Sequence, residues 1–263
     1  MSLEAVLSSD FIVPVAIVVI AFFSGFVHAA IGFGFGIVAV TLLPLVTDVR
    51  AAHVVISTAS VPVIAAVAWK NRRGWDPVML RDALLGAVVG LPLGLWAFEI
   101  VSAIWLVRVT GLAILAMIGM TLLNRKMKGG AGKTADVQGE RSDAQTSFKP
   151  PCLAAGFVAA FLAGAISIAG PPLAAFGMRQ AWTQERFKAF LNQFLLAVSV
   201  SKVAYLATRG YLDQPAMTSA AVMVPFAFLG TWFGAKLTAR IPTEWFERIV
   251  IVALTLIALT YLK

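Results

Sequence analysis

The sequence predicts an all-α integral membrane protein built from two inverted-topology repeats. Three observations predict it. The chain is 60% hydrophobic with only 13% charged residues and has a mean hydropathy of +0.88, where a soluble domain carries about 25% charged residues. Apolar runs near the ~20 residues of a spanning helix recur along it. The sequence also repeats itself: a shift of 136 positions lays Thr47, Arg50, Arg73, Gly74, Gly94 and Trp96 on Thr183, Arg186, Arg209, Gly210, Gly230 and Trp232, and Gly34 on Gly170. Arg, Gly and Trp are not the residues that match by chance in a Leu-, Val- and Ala-rich chain. Period-2 alternation is absent, which argues against a β-barrel.

The apolar runs are 11–31, 51–69, 78–98, 103–123, 187–206, 214–235 and 246–262. They divide the chain into a first repeat, 1–123, a polar linker, 124–150, and a second repeat, 151–263, each repeat having four to five helical segments. The linker is rich in Lys, Arg, Gly, Asp, Glu, Ser and Gln and reads as a solvated tether. The stretch 11–46 is too long for one straight span and is interrupted at Gly32-Phe33-Gly34-Phe35-Gly36. It therefore folds back as a V or crosses twice. The matching place in the second repeat reads Ser167-Ile168-Ala169-Gly170-Pro171-Pro172.

Loop charge sets the orientation. Lys70, Arg72 and Arg73 form one basic cluster and Arg125, Lys126 and Lys128 another. Two spans separate them, so both lie on one face, which the positive-inside rule makes cytoplasmic. The linker is then cytoplasmic and Asp48–Arg50 is outside. The first repeat makes an odd number of crossings, so the second starts inside and runs inverted, with Arg179, Arg186, Lys188, Lys236 and Arg240 inside and Arg209 and Asp213 outside. Both termini fall outside, in a bacterial inner membrane. The net charge of +8 is thereby assigned to helix orientation, and no nucleic-acid partner is implied. No Lys or Arg precedes Arg50, so a cleaved signal peptide lacks its basic n-region.

Matched helix breaks are the candidate site. Glycine opens backbone conformations closed to other residues, proline stops a helix, and half-helix N-termini offer N–H groups and a positive dipole end to an anion. The candidate substrate-binding residues are His28, Gly32, Gly34, Gly36, Ser57, Gly170, Pro171, Pro172, Asn192 and Gln193. Arg50, His53, Ser57 and Ser60 share one helix face. Arg50 and Arg186 fall at opposite mouths as guanidinium groups suited to oxyanions. Asn192 and Gln193 are costly in a membrane unless hydrogen-bonded, and offer amide donors to a substrate or glue between helices. His28 offers a donor or a proton carrier. Lys70 and Lys202 are expected to snorkel, and Trp69, Trp75, Trp96, Trp105, Trp182, Tyr211 and Trp245 to form interfacial belts.

The inventory also excludes chemistry. Asp48, Asp76, Asp82, Glu99, Glu185, Asp213, Glu244 and Glu247 all fall near span ends, so a relay on a mid-membrane carboxylate is disfavoured. Two His and one Cys, Cys152, are poor material for a metal site, and no metal or other cofactor is implied. Walker, His-Glu-x-x-His and Gly-x-Ser-x-Gly motifs are absent, so neither ATP-driven transport nor an enzyme is expected.

Gly32-Phe-Gly-Phe-Gly36 followed by Leu42-Leu43-Pro44 resembles the glycine-rich signature of the sulfite exporter TauE/SafE family, and Gly170-Pro171-Pro172 resembles its second copy. The length, two-copy layout and polar linker are similar as well. The chain departs from the commoner Gly-Gly-Gly form at Phe35 and at Ala169. The resemblance implies a secondary transporter of small sulfur-containing anions, sulfite or organosulfonates, and a homodimer is compatible with it. A passive anion channel on the same scaffold, a carrier of another small anionic metabolite, a membrane enzyme or assembly factor, and a metal-ion transporter are the alternatives.

Overall fold

The computed structural model describes residues 9–237 apart from 103, 107, 113–114, 116–118, 120–149, 178–179 and 181. The linker 124–150, save Pro150, and the run 246–262 lie outside the described residues, as do Arg125, Lys126, Lys128, Arg179, Arg240, Glu244, Trp245 and Glu247. The run 103–123 is described only in part.

Among the described residues the regular elements are all helical, the α-helices being α1 Ser9–Ile31, α2 Phe35–Leu42, α3 Val49–Lys70, α4 Pro77–Ile100, α5 Pro150–Ile166, α6 Gly170–Gly177, α7 Gln184–Thr208 and α8 Gln214–Leu237. Five of them, α1, α3, α4, α7 and α8, are long and apolar enough to cross a membrane. Acidic or hydroxyl caps mark where several begin: Asp48 accepts from the amides of Arg50 and Ala51, Asp76 from Met79, and Thr183 from Arg186. Such caps satisfy N–H groups that a helix leaves orphaned, which accounts for Asp48 and Asp76 at span ends.

Helix directions follow from the end contacts. At one end Arg50, opening α3, donates to the carbonyls of Glu99 (3.2 Å) and Val101 (2.8 Å), while Glu99 pairs with Arg209 beyond α7. At the other end Gly74, following α3, lies against the backbone of Glu185 and Arg186 at the start of α7, and Arg186 pairs with Asp76, the cap of α4. The matched helices α3 and α7 therefore run antiparallel. Asp48 and Glu185 fall at opposite ends.

Two glycine seams join early helices to late ones, α4 to α5 and α8 to α1. On α4, a methyl at Gly86, Gly90 or Gly94 would run into the backbone of Leu153, Phe157 or Phe161 of α5. On α8, Gly230 and Gly234 meet the backbone of Phe22 and Phe26 of α1 in the same manner. Small residues at intervals of four let membrane helices approach backbone to backbone. Residue numbers rise together in both seams, so both pairs are parallel. Because α8 starts at the Glu99 end and α1 runs beside it, α1 descends toward the Asp76 end. The α2 segment must then climb back to reach the start of α3, so the chain reverses direction at the first break.

Exposure sorts the aromatic residues. Trp69, Trp75, Trp96, Trp105 and Trp232 are largely exposed. Trp182 packs on Phe176 and Phe190, and Tyr211 on Phe98, so these two are partly buried against the core.

Candidate functional site

The first break is made by backbone conformation. Gly32 has φ +94° and Gly34 φ +131°, left-handed values that side chains resist. Helix α2 then begins with no side-chain cap, and its first internal bond runs from the amide of Val38 to the carbonyl of Gly34 (3.1 Å). The amides of Phe35, Gly36 and Ile37 thus have no partner within the helix. The second break turns at Ser167, whose φ of +58° is the one positive value on a non-glycine among the described residues. Helix α6 follows from Gly170, but Pro171 and Pro172 occupy its first turn and carry no N–H. The two starts are chemically unequal.

The breaks touch. A methyl on Gly36 would run into the Ser167 carbonyl, and one on Gly170 would sit 2.5 Å from the Phe33 ring. Between them lies a cavity of about 50 Å³. Roughly 10–15 Å³ of such space holds one water, so the cavity suits a solute of a few non-hydrogen atoms. His28, Gly34, Gly36, Ser57 and Gly170 line it, together with Ser60, Ser167 and Lys202. Its lining contains no Asp or Glu. Ser57 and Ser60 sit near the middle of α3 and Leu195 and Val198 near the middle of α7, so the cavity lies at mid-depth.

Lys202 corrects the expectation of snorkelling. It is 2% exposed, and its ammonium donates to the carbonyls of Ala163 (2.7 Å) and Gly164 (3.1 Å) and to Ser167 Oγ (2.8 Å). Ser167 Oγ also lies 3.1 Å from His53 Nδ1 and 3.4 Å from Ser57 Oγ. Lys202, Ser167 and His53 thus form one polar centre; the sequence reading places His53 on the face of Ser57 and Ser167 in the second break, but not Lys202 beside them. A signal was present: Leu195, Val198, Ser199 and Lys202 fall on one helical face. Lys202 was instead judged by its nearness to the end of the apolar run.

Asn192 lies beside the cavity, not in its wall. Its side-chain NH₂ donates to the carbonyls of Gly32 (3.0 Å) and Lys188 (2.8 Å). Its Oδ1 therefore faces His28 as an acceptor, and His28 Nε2–H donates to it across 3.0 Å. This fixes the imidazole tautomer and leaves His28 Nδ1 buried and without a partner. Gly32, Pro171 and Pro172 also lie outside the lining. So does Gln193, whose Oε1 is buried with no partner.

The two arginines stand at opposite ends but are engaged. Arg50 spans the carbonyls that end α4 and lies 5.8 Å from the Phe98 ring centre. Arg186 pairs with Asp76 and lies over Trp182. At the Glu99 end, Arg209 makes a bidentate pair with Glu99 (2.8 and 2.7 Å), which also accepts from the Tyr205 hydroxyl (2.9 Å). One ion pair at each end therefore ties α4 of the first copy to α7 of the second. Among the described residues no group of three His, Cys, Asp or Glu could hold a metal ion. Cys152 is buried and donates to the Met79 carbonyl.

Comparison with known proteins gives one match. The family model described as "Sulfite exporter TauE/SafE" covers residues 17–261. No curated protein and no solved structure matches the chain.

Proposed function

The chain belongs to the sulfite exporter TauE/SafE family, and on that premise we propose that it is a secondary transporter moving sulfite or a small organosulfonate by alternating access about the central cavity. The observation that carries this reading is the mid-depth cavity itself. It is lined by the first residues of α2, whose amides the helix does not use, and by His28, and among the described residues no carboxylate lines it. Helix N-termini favour negative charge through their N–H groups and dipole.

In this reading the repeats are inverted, joined by a cytoplasmic linker, and the site lies where they meet. The antiparallel course of α3 and α7 and the crosswise glycine seams support the inversion. Charge supports the orientation: Lys70, Arg72, Arg73, Arg186 and Lys188 gather at the Asp76 end, whereas Asp48, Glu99 and Asp213 stand at the other. Gly34, Gly36, Ser57, His28 and Gly170 contact the substrate. Asn192, Gly32, Pro171 and Pro172 shape the breaks. Arg50 and Arg186 act at the mouths as parts of closures that part in turn, the Glu99–Arg209 pair with Arg50 on one side and Asp76–Arg186 on the other. The site carries no catalytic groups and no cofactor.

Purified protein in proteoliposomes tests the proposal. Sulfite or organosulfonate flux should saturate with concentration. Flux rising linearly would make the protein a channel, and no flux of any sulfur oxyanion in either direction would overturn the reading.

A further inference from the structure

We propose that Lys202 is the counter-charge of the substrate anion, so that the cavity takes a compact, singly charged oxyanion between the Lys202 ammonium and the amide end of α2. This deepens the transport reading and rests on it.

Lys202 lines the cavity from α7 and is almost wholly buried. Its three donors are all used, but on neutral acceptors: two carbonyls at the end of α5 and the Ser167 hydroxyl. No carboxylate pairs with it among the described residues, and none lines the cavity. A buried cation is retained in a membrane when paired or functional. The negative dipole end of α5 offsets part of its charge. The remainder calls for an anion, and the cavity is the space beside it where one fits.

The opposite wall agrees. Phe35, Gly36 and Ile37, whose amides α2 does not use, line the same cavity. An anion held there meets backbone amides on one side and the ammonium charge on the other. One fixed positive charge matches a monoanion such as hydrogen sulfite better than a dianion. The volume of about 50 Å³ also favours a centre with few attached atoms.

The test is Lys202→Met in the full chain, reconstituted and offered sulfite. The substitution removes the desolvation cost of a buried charge but strands the Ala163 and Gly164 carbonyls and the Ser167 hydroxyl, so its stability is measured alongside its transport. The KM for sulfite should rise at least tenfold and sulfite should no longer raise the Tm of the variant. Lys202→Arg should retain saturable flux. An unchanged KM in Lys202→Met, whatever its stability, overturns the proposal and leaves Lys202 a structural clamp on α5. Should Lys202→Met not be recovered, Lys202→Gln, which keeps donors for the Ala163 and Gly164 carbonyls, carries the same readout. Failure of the wild-type protein to bind or move sulfite overturns the transport reading first, and is distinguished because it precedes any mutant.

Discussion

Asn192→Ala separates a brace from a ligand. Asn192 is fully buried and joins α7 to the first break through His28 and the Gly32 carbonyl. Its third bond, to Lys188, stays within its own helix. Truncation removes two bonds between elements. Interhelical hydrogen bonds in membranes average ~0.6 kcal/mol and reach ~1.7, so the loss is about 1–3 kcal/mol. For a chain of this size each kcal/mol moves Tm by roughly 2–4 °C, which puts the fall between about 2 and 12 °C. Thermal unfolding in detergent and sulfite flux in proteoliposomes are the two assays. A brace predicts a lower Tm and lower maximal flux with KM within about twofold, because the amide does not line the cavity. A tenfold rise in KM at an unchanged Tm would refute this and restore Asn192 as a direct substrate contact.

The remaining expectations are as concrete. Gly94→Ala and Gly230→Ala, one in each crosswise seam, should each destabilise by about 1–3 kcal/mol through overpacking, because the added methyl meets the backbone of Phe161 or Phe22. Asp76→Asn and Arg186→Gln should alter flux to the same extent, and the double variant no further, because they break one ion pair; a strictly additive double variant would remove the closure from that end.

The scaffold was largely legible because membrane constraints write themselves plainly into sequence. The five long helices announce themselves by apolar length, and the fold-back by Gly32 and Gly34, whose positive φ values need glycine. The crosswise seams were half legible: Gly94 and Gly230 marked the duplication, but which helix each faced depends on packing. The site was harder. Asn192 was seen as costly and in need of partners, yet only the fold shows that those partners are His28 and a carbonyl. Lys202 was read by distance along the chain, although burial depends on what surrounds a helix end. Ser167 carried no signal beyond its place before Gly170, since a non-glycine turn at φ +58° leaves no mark on composition.

The unequal breaks carry the chemistry further than the repeat alone does. Two half-helices, α2 and α6, contribute to one cavity, and a symmetric pair would offer an anion two equal amide ends. Here Pro171 and Pro172 remove two of the donors from α6, while α2 keeps Phe35, Gly36 and Ile37. The second break compensates through a different group: the carbonyls of Ala163 and Gly164, just before it, hold the Lys202 ammonium at the cavity wall. One side thus presents fixed backbone dipoles and the other a charge on a flexible stem. The position shift places Ala66 where the later sequence has Lys202, so among the described lining residues Lys202 stands as the one Lys or Arg, which is why the proposed occupant carries a single negative charge.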